Sequence, residues 1–179
     1  MHQVSNKPLV SIVLPTYNRA QLLSRAVRSV LRQQYEELEL IIIDDGSTDN
    51  TPAVVAAIQD PRIHYLRFEE NVGIGAARRE GVDCARGRLI AFIDSDDLWL
   101  PGKLELQVYL FAEYLHLDLI FGNYVNINHI TGTQELGFDK TRMSLERLID
   151  SPLENGVWEI LSGFQRAMLE RSFMATPTV

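Results

Sequence analysis

Short apolar runs alternate with stretches of helical period along the first two thirds of the chain. Leu9–Leu14 (LVSIVL) is a buried-strand run that Pro15 is expected to end. Ala20, Leu23, Val27 and then Val30 or Leu31 recur at steps of three and four, which puts one apolar face on a helix. Arg25, Arg28 and Arg32 fall on its other side. Leu38–Ile43 (LELIII) predicts a second strand, which runs into Asp44-Asp45-Gly46-Ser47. Thr51-Pro52 opens a helix to about Gln59, with Thr51 as N-cap and Pro52 at the first helical position. Ile63–Phe68 alternates like a half-open strand, and Asn71-Val72-Gly73-Ile74-Gly75 reads as a loop. Ala76–Ala85 reads as a helix closed by Gly87, Leu89–Ile93 as a fourth strand, and Pro101–Leu115 as a helix with Leu104, Val108 and Phe111 inward. Asp118–Asn128 predicts a fifth strand. Beyond it the signal weakens: Ser144–Ile149 and Val157–Glu170 have helical spacing, and Gly132 and Gly137 mark turns.

Strand and helix alternate four times, the pattern of an α/β domain with a mostly parallel sheet covered by helices. Ligands of such sheets bind beyond the carboxyl ends of the strands. Three of those ends carry polar clusters: Pro15-Thr16-Tyr17-Asn18-Arg19, Asp44-Asp45-Gly46-Ser47 and Asp94-Ser95-Asp96-Asp97. Each has an ordinary explanation as a turn or a helix cap. The last cluster exceeds it, because a cap needs one side-chain oxygen and this segment offers three carboxylates.

Bunched carboxylates raise one another's pKa unless a cation offsets them. Oxygen donors favour Mg²⁺ or Mn²⁺ over zinc, and no His or Cys lies nearby in sequence. A cation on one or two carboxylates keeps positions open for phosphate oxygens. No GxxxxGK[ST] P-loop is present, and the Asn71 loop is not a Gly-x-Gly-x-x-Gly fingerprint and follows the third strand rather than the first. Tyr17 is suited to stacking on a base and Asp45 to accepting a base N–H. Arg78 is suited to phosphate or base, or equally to a solvated helix face.

Composition narrows the classes. A chain of 179 residues with 46% apolar and 23% charged residues fits one domain with a sizeable core. A net charge of −7 and the lack of a dense Lys/Arg run argue against nucleic acid as the main partner. The one cysteine, Cys84, excludes an internal disulfide framework and suits a reducing compartment. The N-terminus lacks the order of a signal peptide, and no apolar run reaches the roughly 20 residues of a membrane span.

SIVLPTYNR at Ser11–Arg19, IIIDDGSTD at Ile41–Asp49, NVGIGAAR at Asn71–Arg78 and IAFIDSDD at Ile90–Asp97 occur in this order. Together they resemble glycosyltransferase family 2, whose fold is named GT-A. The resemblance covers Val10 to Asn123 and departs from the family pattern at Arg79, where an Asn is common. It implies a nucleotide-sugar-dependent, inverting enzyme with a Mn²⁺ or Mg²⁺ ion and a donor that is a UDP-sugar. Tyr17 would stack on or flank the nucleobase, with Thr16 and Asn18 beside it, and Asp45 would hydrogen-bond the base. Gly73 and Arg78 would line the nucleotide site. Asp94 and Asp96 would form the Asp-x-Asp motif, Asp94 near ribose and metal and Asp96 on the metal. Asp97 has a supporting or helix-capping role in this reading.

The same resemblance implies one GT-A domain over 1–179, with a nucleotide-sugar-binding core at 10–123 and the start of an acceptor-side region at 124–179. A family-type general base is expected beyond Val179, since Asp150, Glu154, Glu159 and Glu170 sit in no matching motif. The chain then reads as a donor-binding portion, truncated at its C-terminus. Its acceptor would be a saccharide or a lipid-linked molecule, and its place the cytoplasm, at the inner face of the membrane. Two rivals are weighed. A Mg²⁺-dependent phosphotransfer receiver or phosphatase-like domain would need a lysine at a later strand end, and Lys103 lies in a helix start. The other is a non-catalytic module that binds nucleotide sugars.

Overall fold

The computed structural model describes residues 7–115, 117–120, 122, 124–128 and 130–136, with the backbone of 151–153 and 157–159. It divides into two units, Met1–Leu119 and Ile120–Val179. The first unit contains β1 (Val10–Thr16), α1 (Ala20–Leu31), β2 (Leu38–Asp44), α2 (Thr51–Ala56), β3 (Ile63–Arg67), α3 (Ile74–Asp83), β4 (Leu89–Phe92) and α4 (Lys103–Glu113). Its four strands form one sheet in the order β3-β2-β1-β4, and every pairing is parallel. The α/β alternation read from the sequence is the alternation observed.

The two central strands are buried along their whole length. That is what near-continuous apolar runs encode in a sheet covered on both faces. On one face Ile12, Leu14, Leu40 and Ile42 join Leu23, Val27 and Val30 of α1. Removing those three α1 side chains from water contributes roughly 1.5–3 kcal/mol each. On the other face Ile41 and Ile43 meet Ala77 of α3.

Several boundaries differ from the pattern reading for local reasons. β1 does not stop at Pro15 but runs through it to Thr16. Val10 donates its N–H to Glu37 on the β2 side, so by alternation the nitrogen of Pro15 faces the β4 side. The β4 ladder ends at Phe92, paired with Val13 two residues before Pro15, so the proline interrupts no pairing of that ladder. α2 is capped at Asn50 rather than Thr51, without a side-chain cap bond, and it ends at Ala56. α3 starts two residues early, at Ile74 after Gly73. α4 starts at Lys103, after Gly102 in the left-handed region.

Two expectations fail in the second unit. Asp118–Asn128 is not one long fifth strand of the sheet: among its described residues only Val125–Ile127 (β5) forms a strand, and it pairs antiparallel with β6 (Gln134–Leu136). The local turn explains this: the Asn128 side chain accepts the N–H of Ile130 and of Thr131, and Gly132 takes φ +70°. Val157–Glu159 is not the start of a helix but a strand, β8, antiparallel to β7 (Ser151–Leu153). Asn155-Gly156 between the two runs is a hairpin signal that a helical spacing cannot accommodate. Ser144–Ile149 and 160–170 lie outside the described residues. Among the described residues no helix is long and apolar enough to cross a membrane.

A buried carboxylate anchors the end of the sheet away from the polar clusters. Glu39 on β2 accepts the Ser11 hydroxyl at 2.6 Å, and the Arg86 N–H and guanidinium at 2.6–2.8 Å. Burial works against its charged form, but the hydrogen bonds from Ser11 and Arg86 outweigh it and hold the carboxyl below its usual value. The Arg86 side chain is 65% exposed, so water screens the charge and the hydrogen bonds dominate. Glu39→Gln should destabilise the fold by about 1–3 kcal/mol in urea melts at neutral pH. Because the folded pKa is depressed, the Glu39 contribution is present above the unfolded value of 4.5 and is lost as the pH falls below it. The wild type should therefore lose more stability than Glu39→Gln on acidification through that range.

Candidate functional site at the carboxyl edge of the sheet

β1, β2 and β4 end side by side, and their terminal loops are stapled together by side chains. The Thr16 carbonyl accepts the Asp45 N–H at 2.9 Å. Asn18, in the left-handed region at φ 52°, donates its N–H to the Ser47 hydroxyl. Its side-chain oxygen accepts the N–H of Thr48 at 2.8 Å and of Asp49 at 3.2 Å. Asp49 in turn accepts the N–H of Ala20 at the start of α1. Asn18 therefore organises the loop after β2 and need not touch a ligand to matter.

The two aspartates that end β2 have different jobs. Asp44 is wholly buried and accepts the Ser47 N–H at 2.8 Å and the Tyr65 hydroxyl at 2.6 Å. Burial, and then that bond to the carboxylate, push the Tyr65 hydroxyl pKa upward. Asp45 reaches across to the loop before α3, accepting the N–H of Val72 at 2.8 Å and of Gly73 at 2.9 Å. Each oxygen keeps a lone pair for a ligand donor. Gly46 makes this approach possible. Its φ is +74°, and a Cβ would lie 2.5 Å from the Glu70 carbonyl carbon.

Gly73, at φ 98°, precedes the first turn of α3. One turn on, Arg78 extends to β4 and donates to Asp94 at 2.8 Å. That contact turns the Arg78 side chain toward the end of β4, so it is not simply a solvated helix residue. Asp96 lies 3.8 Å from the Arg19 guanidinium. Asp97 is buried, and its carboxyl is raised to about 7, by burial first and then by the charges of Asp94 and Asp96. The capping explanation of this cluster does not hold, since α4 has Gly102 at its cap position and no side-chain cap bond. Tyr17 stands at the rim, 44% exposed.

Thr16 at the end of β1, Tyr17 and Asn18 after it, Asp45 after β2, Gly73 before α3, Arg78 in α3, and Asp94 and Asp96 after β4 thus follow the four strands of one sheet. Three of the buried side-chain polar atoms without a hydrogen-bond partner are the Thr16 hydroxyl, the Arg78 Nε and the Asp97 Oδ1. Buried polar atoms are rarely left so, and these three lie on residues at or near the carboxyl ends of β1 and β4 and in α3. Among the described residues no three His, Cys, Asp or Glu side chains converge as a metal cluster. Asp94 and Asp96 remain as a pair of oxygen donors, which suits a hard cation that takes its other ligands from a bound molecule. Lys103 is engaged elsewhere, over the Trp99 ring at 4.3 Å and on Gln107 at 2.7 Å, so the lysine that a phosphotransfer receiver needs is not supplied by it. Sequence reasoning passed over Ser47 and Asp49 as binding partners of the first loop, and over the Arg19–Asp96 pair. Only the position of Arg19 at the end of the first cluster hinted at that pair.

A family model described as glycosyl transferase family 2 matches residues 11–173. The chain is 41% identical over 126 residues to the Escherichia coli UDP-Glc:alpha-D-GlcNAc-diphosphoundecaprenol beta-1,3-glucosyltransferase WfgD, covering 69% of this chain and 49% of that one. It is 43% identical over 109 residues to the putative teichuronic acid biosynthesis glycosyltransferase TuaG of Bacillus subtilis, covering 60% and 43%. Among solved structures, Staphylococcus aureus TarS 1–349 in complex with UDP-GlcNAc aligns with a TM-score of 0.57 and 25% identity over 66% of this chain and 33% of that one. The chain thus spans about half or less of the length of these curated relatives.

The Asp45 clamp has a direct consequence. Asp45→Ala should free the amides of Val72 and Gly73, speed their hydrogen exchange, and cost about 1–3 kcal/mol in stability. Exchange at those two amides unchanged from the wild type would show that the loop is held by something else.

Proposed function

The chain belongs to glycosyltransferase family 2, and on that premise we propose that it binds the donor for transfer of a sugar from a UDP-sugar to an acceptor hydroxyl, with inversion at the anomeric carbon. The observation that carries the reading is the Arg78–Asp94 contact. It joins the loop held by Asp45 to the acidic end of β4, so base-binding and diphosphate-binding groups share one edge. UDP is favoured as the carrier by the donor in the name of the WfgD relative and by the UDP-GlcNAc in the TarS complex.

In this reading the exposed Tyr17 ring stacks on the base, and the free lone pairs of Asp45 accept a base N–H. Thr16 and Asn18 flank the ring, while Gly73 lets the loop backbone approach the nucleotide. Arg78 faces the donor's phosphates or base from α3, and Asp94 lies toward the ribose. Asp96, with Asp94, would hold Mg²⁺ or Mn²⁺. The donor set is all oxygen, and the Asp97 carboxyl beside it is raised by burial first and then by the charges of Asp94 and Asp96. A cation there offsets charge that develops on the departing diphosphate. Arg19 and Arg78 already pair with the two carboxylates and so hold them in place. The acceptor is a saccharide or a lipid-linked molecule, and the protein works in the cytoplasm. Removing the acceptor's proton requires a general base, and none of the strand-end residues is assigned that task.

Titration calorimetry with UDP, with and without Mn²⁺, tests this. Asp96→Ala should abolish the metal-dependent part of the affinity, a loss of about tenfold or more, equivalent to about 1.4 kcal/mol, with the melting temperature nearly unchanged. UDP affinity in Asp96→Ala equal to that of the wild type with metal present would sink the assignment.

A further inference from the structure

The outer face of α1 plays no part in the site. Arg25, Arg28 and Arg32 lie on it with Gln21, all four exposed, opposite the buried Leu23, Ala26, Val27 and Val30. From Arg19 to Gln34 the chain has four arginines and no acidic residue, although acids outnumber bases 24 to 17 over the whole sequence. None of the three arginines has an ion pair or side-chain hydrogen bond among the described residues. A bare cationic stripe on an anionic protein is an uncommon arrangement, since nearby acids are plentiful.

An apolar element flanks the stripe. The segment after Asp97 is tied to the flank of α1, with the Trp99 N–H on the Ser29 hydroxyl at 3.0 Å and the Gln33 amide on the Leu100 carbonyl at 3.0 Å. These bonds pin the backbone while the Leu98 and Leu100 side chains stay 44% and 72% exposed. Three unpaired arginines beside two outward leucines match the two layers of an anionic bilayer surface, phosphate headgroups and the acyl boundary. A nucleic acid would use the charge but leave the leucines in water. Net negative charge elsewhere repels the same surface, so this is the face by which the protein can approach it.

We propose that the α1 stripe Arg25-Arg28-Arg32, with Leu98 and Leu100, docks the protein on anionic phospholipid. The inference does not depend on the sugar-transfer reading, because none of these residues is assigned to the nucleotide.

Co-sedimentation of the full chain with phosphatidylglycerol-containing vesicles, and with phosphatidylcholine vesicles as control, tests it. Binding should require phosphatidylglycerol and fall as salt rises from about 0.1 M, where charges interact over about 10 Å, to about 1 M, where they are screened within about 3 Å. Each arginine near such a surface contributes about fivefold, so Arg25→Ala/Arg28→Ala/Arg32→Ala should lower partitioning by about a hundredfold. The charge-keeping triple change to lysine should retain it, and Leu100→Ser should weaken it several-fold. Thermal melts establish that each variant is folded. Equal partitioning of the wild type and the alanine triple variant, binding to phosphatidylcholine alone as strong, or binding to an oligonucleotide without binding to the vesicles would each overturn the proposal.

Discussion

The carboxylate of Asp45 joins the loop after β2 to the loop before α3 at the carboxyl edge of the sheet. It leaves the end of β2 and captures two consecutive amides in the loop before α3. Charge-assisted bonds to backbone amides are short and strong, and a buried carboxylate without them would be costly. The clamp sets where α3 begins, and α3 sets where Arg78 reaches. Asp94 at the end of β4 then receives a partner from across the edge. Remove that first link, and the loop, the helix start and the arginine lose their common reference.

Carboxylates recur at this edge, and each is managed differently. Asp44 is enclosed and serves the fold through Ser47 and Tyr65. Asp94 and Asp96 are paired with arginines whose side chains are partly in water, contacts that a ligand can reorganise at modest cost. Asp97 is buried with one carboxylate oxygen unpartnered, and burial first, then the charges of Asp94 and Asp96, raise its pKa. The opposite end of the sheet shows the contrast. Glu39 there is saturated with donors from Ser11 and Arg86, as suits a purely structural anion. A buried acid with a full set of partners holds the fold, whereas strand-end acids whose partners are partly in water are free to exchange them.

Much of this was legible because the β1 and β2 runs are nearly all apolar and their polar residues come abruptly at the ends. Boundaries were less legible where backbone conformation decided them. Pro15 stays in its strand because of which neighbour its nitrogen faces, and Gly73 and Gly102 start helices through positive φ rather than through side-chain caps. The supposed fifth strand was lost to a local turn built on Asn128, and the supposed helix at Val157 to a hairpin. In both places short-range turn chemistry overrode a weak periodicity.

The sequence by itself determined the α/β alternation, the buried central strands and the membership of the polar clusters, since these follow from the order of residue types along one chain. The family resemblance carried by its motifs grouped Asp45, Arg78, Asp94 and Asp96. Only the tertiary structure decided their partners: Asp45 with the Val72 and Gly73 amides, Arg78 with Asp94, Arg19 with Asp96, and Asn18 with the loop after β2. These contacts join residues 16 to 77 positions apart. Hydrophobic period is a local property of the chain, but which donor meets which carboxylate is settled by the register and crossing of strands and helices, which no local pattern specifies.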